Sequence, residues 1–300
     1  MEIVWYEGLN CYKEHKLIVD PQSDKKTHCL TLRDVPVNIN RPYLDIAYDA
    51  LGNKNKIDIL YSGGQDSELL LRTAIALGVD FNVITMRLRI NECLINVQDL
   101  YYSELFCKQN KIEQNFIELD VDQFFNSGQY LKYIGPYLVA EPHIATHHWL
   151  LEQCNNFPVF AGDYSWPWAD KPVLSPTRYR YCANRRFMDD RQIDGISNFL
   201  SHSLDLNMFL IQQHKKMFDN SIELGRFKSN LYSSLGVGKL EPRLTNHGWD
   251  GFNGKTFNKT AHKINLLKKI GEVKSIVVWE DQIKNLIGSD VYSHDRYYQY

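Results

Sequence analysis

The sequence predicts an α/β fold: a parallel, doubly wound sheet with helices on both faces, a small N-terminal β hairpin unit, and a mostly helical C-terminal region. Three observations carry this. Short apolar runs with strand composition recur at Ile57–Tyr61, Phe81–Met86, Asn115–Leu119 and Phe157–Ala161. Between them apolar residues recur at helical spacing. Glycine and proline punctuate the segments, with Pro142 opening a helix and Gly78 closing one.

In chain order, Glu2–Tyr6 and Lys16–Val19 flank a Gly8-Leu9-Asn10-Cys11 turn region and predict a hairpin, with Leu30–Leu32 as a third strand. Pro42 opens a helix over 42–51, in which Leu44, Ala47, Tyr48 and Leu51 share a face and Gly52 is the stop. After the strand at Ile57–Tyr61, Leu69, Leu70, Ala74 and Leu77 mark the first crossover helix. The second strand, Phe81–Met86, is followed by a helix from Leu100 to Phe106. A helix from Pro142, with Ala145, Trp149, Leu150 and Leu151, precedes the fourth strand. Strand and helix in alternation imply right-handed crossovers. Beyond about residue 186 the pattern is helical (Phe199, Leu206, Phe209, Leu210, Met217), with a late strand at Ser275–Trp279 and a Gly-rich loop from Leu235 to Asn258. The expected division is therefore 1–52, a β-rich extension; 53–185, the α/β domain; and 186–300, the helical region.

Composition narrows the function classes. With 34 Lys plus Arg against 36 Asp plus Glu, the net charge is -2, so no generic nucleic-acid or membrane-surface binder is written here. The six cysteines form no CxxC pair, which removes zinc-ribbon and thioredoxin-type motifs. No apolar run approaches a membrane span and no basic-then-apolar leader opens the sequence, so the expected compartment is a reducing cytoplasm.

The chemistry is concentrated in Ser62-Gly63-Gly64-Gln65-Asp66-Ser67, an SGGxDS run between a strand and a helix. Two glycines let the backbone turn tightly and approach a ligand. Successive N–H groups in such a turn form an anion-binding nest, and the following helix adds about half a positive charge at its N-terminus. Ser62 and Ser67 offer hydroxyls to phosphate oxygens. Asp66 repels bare phosphate, so its expected job is to hold a divalent cation bridging the phosphates. The bland alternative is a plain strand–turn–helix connection with Asp66 or Ser67 as the cap. A Walker loop, GxxxxGK[ST], is absent; Gly236-Val237-Gly238-Lys239 lacks its upstream glycine. With the first strand central and the fourth beside it, the crevice between their carboxyl ends is a topological switch point, where ligands bind. Gly162-Asp163 then faces the loop.

At these residues the chain resembles the PP-loop ATP pyrophosphatases, whose fold is the adenine nucleotide alpha hydrolase-like sheet. Within the group it is similar to asparagine synthetase-like domains. Asp99 before a helix, Asn115–Asp120 as a strand, and Val159-Phe160-Ala161-Gly162-Asp163 ending the fourth strand match their rhythm over roughly residues 56 to 165. The resemblance implies cleavage of ATP to AMP and pyrophosphate, activating a carboxylate or carbonyl for an amine or ammonia. It places Ser62, Gly63, Gly64, Asp66 and Ser67 on the pyrophosphate and its Mg²⁺, Met86 and Gly162 on the nucleotide, and Asp163 near the reacting centre. The chain departs from the family in three ways. Tyr164-Ser165-Trp166 stands where a second acidic pair is expected. Asp250 precedes Gly251-Phe252 where a Lys is expected, leaving Lys255 and Lys239 as candidates for that charge. No glutaminase domain is expected, since the first 50 residues are too few for one and residue 2 is Glu rather than Cys. An ATP-binding remnant without catalysis and a base-modifying enzyme are the other readings.

Two further clusters stand out. From Lys171 to Met188 the chain carries five basic residues and no acid; Arg178, Arg180, Arg185 and Arg186 are the expected substrate-side cations, against a solvated loop paired to Asp189 and Asp190. His143, His147 and His148 lie on one predicted helix, where a polar face is the stronger reading than zinc. Trp166-Pro167-Trp168 is a candidate pocket wall. The expected partner is a small-molecule or nucleotide substrate, with nucleic acid less favoured and no membrane.

Overall fold

The computed structural model describes residues 2–5, 12–19, 26–32, 39–134, 142–162, 184–185, 187–217, 222, 224–243, 273–278 and 296–297. Its central sheet holds β4 (Ile57–Leu60), β5 (Phe81–Ile90), β7 (Gln114–Asp120) and β8 (Phe157–Phe160). All four are parallel, in the spatial order β7–β5–β4–β8. Read as first to fourth in the chain, that order is third, second, first, fourth. The chain therefore reverses direction across the sheet between β4 and β8, as the sequence predicted. A two-residue strand, β6 (Cys93–Leu94), folds back antiparallel on the far end of β5. On the outer side of β8, Ile196 bridges Val159, and Leu200 N–H donates to the Ala161 carbonyl at 3.0 Å.

All four residues of β4 are buried, which is what a strand covered on both faces requires. Alternation sends them to two separate cores. Ile57 and Ile59, with Val83 and Val159, pack against α1 (Tyr43–Leu51), α2 (Gln65–Leu77), and the later helices α7 (Leu204–Met217) and α8 (Leu224–Ser233). Leu60, Ile84, Leu88 and Leu119 face the other way, against α4 (Val121–Asn126) and α6 (Pro142–Leu151). Between α4 and α6 lies the short α5 (Leu131–Ile134). The remaining crossover helix, α3 (Val97–Gln109), gives Phe106 and Cys107 to the first core. The helix boundaries follow local chemistry. Gly78 ends α2 in the left-handed conformation, φ 65°, and Asp120 caps α4 by accepting from Gln123 N–H at 2.9 Å.

A second sheet is made from both ends of the described chain. Here β1 (Glu2–Trp5), β2 (Tyr12–Val19) and β3 (Lys26–Leu32) form an antiparallel meander. Next to β3, in parallel, lies β9 (Val273–Val278), with β10 (Arg296–Tyr297) antiparallel to it. The expected hairpin is present, and β2 begins four residues earlier than its apolar run. No helix among the described residues is long and apolar enough to cross a membrane.

Asp58 sets the neighbour relation of β4 and β8. It is 1% exposed, and its carboxylate accepts from Asn155 N–H (2.9 Å), Asn156 N–H (2.8 Å), the Asn156 amide (2.8 Å) and the Asn82 amide (2.9 Å). Desolvation is the largest single influence on this acid and works against the charge, but the four donors together outweigh it and lower its pKa. Asp58→Ala is expected to cost about 2–4 kcal/mol in denaturant unfolding, because four donors lose a charged acceptor. The contribution of Asp58 is fully present above its unfolded pKa of about 4 and fades as pH falls through its lower folded value.

His148 is fully buried on α6, stacked on Phe187 at 4.5 Å, with its ring nitrogens 2.5 Å from the Tyr133 carbonyl and 2.9 Å from Asn184 Oδ1. This is a core histidine rather than the polar face expected. Desolvation lowers its pKa from 6.5 to about 4. In that window the unfolded chain takes a proton that the folded chain refuses, so stability falls on acidification. His148→Gln is expected to remove up to about 1.4 kcal/mol per pH unit from the slope of unfolding free energy across that window, read by denaturant melts.

Candidate functional site

The strand–loop–helix unit is built as the sequence required. Tyr61 extends β4 by donating its N–H to the Ile84 carbonyl at 2.9 Å. Gly63 then turns the chain at φ 83°, where L side chains are rare. A Cβ at Gly63 would sit 2.1 Å from the Asp99 carbonyl oxygen, so the loop lies tight against the first turn of α3. Gly64 is the N-cap of α2 and no side chain caps that helix. Its first-turn amides therefore have neither an intrahelical acceptor nor a side-chain cap. This is the anion-accepting end of a thirteen-residue helix.

The two serines bond one another. Their hydroxyl oxygens are 3.0 Å apart, Ser67 Oγ donates to the Gly64 carbonyl at 3.0 Å, and Ser62 Oγ accepts from Gly64 N–H at 3.3 Å. Ser67 is buried and braces the loop, whereas Ser62 is exposed.

Around the first turn of α2 lies a charge cluster that sequence reasoning missed. Lys228, on α8, places Nζ 3.0 and 2.7 Å from the two oxygens of Asp66, and Tyr232, one turn further along α8, donates its hydroxyl to Asp66 Oδ1. Glu68, 2% exposed, is held by Arg72 at 2.8 Å and by Arg243. The two guanidiniums lie over aromatic rings, Arg72 over Phe106 and Arg243 over Tyr102, each at 4.7 Å. Gln65, the variable residue of the motif, donates to the Gly225 carbonyl at 2.8 Å and the Glu241 carbonyl at 3.4 Å. The segment 225–243 thus docks on the motif through four polar side chains of α2: Gln65, Asp66, Glu68 and Arg72, the last approached by Gly238, whose Cβ would meet Arg72 Nη1 at 3.1 Å. Among the described residues three cations, Lys228, Arg72 and Arg243, face Asp66 and Glu68, and Glu241, which also acts on Arg72, is paired with Lys239, so one positive charge is left beside the loop.

Lys228 could have drawn attention in the sequence. It lies beside Phe227 and Leu231 on the apolar side of a short helix, and a lysine there implies an acidic partner. Nothing local names that partner as Asp66. Lys239, a candidate for the same charge, instead pairs with Glu241 at 2.8 Å with its side chain 78% exposed.

The other expected site residues are distributed as follows. Gly162 stands two residues past Phe160, which pairs with Leu60, so it lies level with Ser62 at the carboxyl ends of the two strands. It adopts φ 77°, and a Cβ there would meet Asn198 Oδ1 at 1.9 Å. Met86 is half-buried in β5, and its carbonyl accepts from the Asn96 amide at 2.8 Å. Arg185 pairs with Asp189 at 2.5 Å and donates to the Gly195 carbonyl at 3.3 Å, bracing the edge beyond β8. Asp163, Arg178, Arg180, Arg186, Lys255, Trp166 and Trp168 lie outside the described residues, as does the side chain of His143.

The Mg²⁺ that the resemblance puts on Asp66 does not fit the partners Asp66 has. Both carboxylate oxygens carry hydrogen-bond donors, one of them an ammonium, and no group of three metal-ligating side chains occurs among the described residues.

The two glycines separate the fold from the site. Gly63→Ala is expected to destabilise the protein by about 2 kcal/mol or more, through positive φ and the Asp99 carbonyl. At Gly64 the φ is ordinary, -72°, and the nearest atom to a Cβ is Ser62 Oγ at 3.3 Å. Gly64→Ala is expected to shift the thermal melting point little while weakening anion binding, as read by calorimetry.

No protein-family model and no curated protein sequence matches the chain. Among solved structures it is similar to a predicted subunit of tRNA methyltransferase from Methanocaldococcus jannaschii, at 16% identity and a TM-score of 0.32, over 64% of this chain and 95% of that one. It is similar to the U34-tRNA thiolase of Methanococcus maripaludis, solved with its 4Fe–4S cluster, at 13% identity and 0.33, over 76% and 77%. It is also similar to the NMN synthetase of Francisella tularensis, at 14% identity and 0.29, over 68% and 98%. At such scores no residue role passes from them to this chain.

Proposed function

We propose that this protein is an ATP-dependent adenylating enzyme. It cleaves ATP to AMP and pyrophosphate and thereby activates a carboxylate or carbonyl for attack by an amine or ammonia, in the manner of asparagine synthetase-like domains. The observation that carries the reading is the uncapped N-terminus of α2, preceded by a positive-φ glycine, at the switch point between β4 and β8. Anions are favoured there by free amides and by the helix dipole.

In this reading the loop amides of Gly63 to Ser67 grip the β- and γ-phosphates as one departing unit. The α-phosphorus points to the crevice mouth beside Gly162. The substrate oxygen attacks it opposite the bridging oxygen to the β-phosphate. That bond forms as the α–β bridge breaks, and the electron pair leaves with pyrophosphate. The amine or ammonia then displaces AMP. Holding both reactants in line supplies much of the rate, and fixed donors around the leaving group supply the rest. Asp163 and Lys255 are assigned to the reacting centre, Met86 and Gly162 to the nucleotide, and Arg178, Arg180, Arg185 and Arg186 to the substrate side. Asp66 is assigned to positioning Lys228.

A Walker loop places a lysine on the β- and γ-phosphates and favours cleavage of the terminal bond. No lysine lies within this loop. Turnover is therefore expected to give AMP and pyrophosphate. Candidate carboxylates and nucleobases supplied with ATP, with nucleotides resolved by chromatography, decide it; ADP and orthophosphate as main products refute the mechanism.

A further inference from the structure

We infer that Lys228 supplies the counter-charge for the pyrophosphate unit, so that the SGGxDS loop binds inorganic pyrophosphate without a divalent cation. The inference rests on the function proposed above and specifies how its leaving group is held.

Four features support it. First, Asp66 is already neutralised: its two oxygens take the Lys228 ammonium at 3.0 and 2.7 Å, and Oδ1 also takes the Tyr232 hydroxyl. A divalent cation on the same carboxylate would stand next to an ammonium whose side chain is only 14% exposed, with little water to screen the repulsion. Second, an ammonium carries three N–H donors and Asp66 engages at most two, so Lys228 keeps a donor for an anion oxygen. Tyr232 holds Asp66 while Lys228 shares itself. Third, the neighbouring Arg243 is only 10% exposed, and its Nε and Nη1 have no hydrogen-bond partner among the described residues. Buried guanidinium donors of this kind are normally filled, and an anion at the first turn of α2 is the group that would complement their charge. Fourth, the cluster is already one charge positive. An anion of several negative charges balances it, and an added divalent cation does not.

The counter-charge thus comes from a helix remote in sequence, 162 residues after Asp66, and is positioned by the carboxylate that the motif supplies. Asp66 is a positioning residue, and Lys228 the group that touches the anion.

The test is calorimetric titration of inorganic pyrophosphate into the full chain, once in EDTA and once with excess Mg²⁺. Binding in EDTA is expected, weakened tenfold or more by Lys228→Met. Binding only with Mg²⁺ overturns this inference and leaves the loop as the anion site. No binding in either buffer overturns the reading of the loop on which it rests. Asp66→Asn gives an independent arm if Lys228→Met does not fold. Asn keeps an oxygen that accepts from the Lys228 ammonium while removing a negative charge beside the anion, so binding in EDTA is expected to be kept or tightened, whereas a metal-ligand role for Asp66 predicts loss of binding in Mg²⁺. Loss of binding in Asp66→Asn, or unchanged affinity in Lys228→Met, refutes the role given to Lys228.

Discussion

Burying the first turn of α2 imposes an electrostatic constraint that organises the region around it. Glu68 lies in that turn at 2% exposure, and a lone carboxylate so buried would be severely penalised. It is tolerated because Arg72, one turn along, and Arg243, far along the chain, both pair with it. Each arginine in turn covers an aromatic ring, so neither is held by charge alone. Bringing Arg243 to Glu68 brings the whole segment from Gly225 to Arg243 against the loop. Within it, Ser229 and Ser233 of α8 fasten Leu240 to that helix, Ser229 donating to the Leu240 carbonyl and Ser233 accepting from Leu240 N–H at 2.9 Å. The position of Lys228 over Asp66 follows from this docking.

The α/β sheet was legible in the sequence because each of its strands announces itself locally. Ile57, Ile59 and Leu60 form a short, β-branched apolar run of the kind a strand buried on both faces takes, and Gly78 and Pro142 end and begin their helices as expected. The loop was legible for the same reason, since a nest is made by six consecutive residues. What escaped was set by distance along the chain or by shortness. Nothing near Ile196 says that it will bridge Val159, and nothing near Lys228 names Asp66. The helix at Val121–Asn126 has its cap in plain view at Asp120, but six residues are too few for a periodicity to show.

The histidines make a similar point about faces. Spacing put His143, His147 and His148 on one helix, where a polar face was the stronger reading. In fact the two rings point to different surroundings: His148 stacks on Phe187 in the core, and His147 lies half-buried against Phe160 at 5.4 Å. Composition does not distinguish a solvated imidazole from one satisfied by a carbonyl and an amide, because both require a polar residue at the same place. Arg185 is the converse case: its pairing with Asp189 at four residues' separation is local, and so was readable as one of two alternatives.

The parallel pairing of β3 with β9 bears on how the chain comes together in time. Thr31 lies against Val278, so this ladder joins residues separated by most of the described chain. Contacts of such range are slow to form, because the loop they close must be ordered first. During synthesis at about 5–20 residues per second, β3 leaves the ribosome tens of seconds before its partner exists. For that interval the β3 edge of the meander is open, able to pair with any strand that reaches it. The central sheet suffers no such delay, since β4, β5, β7 and β8 follow one another closely. The unit built on the central sheet can therefore close around its loop before the second sheet is complete.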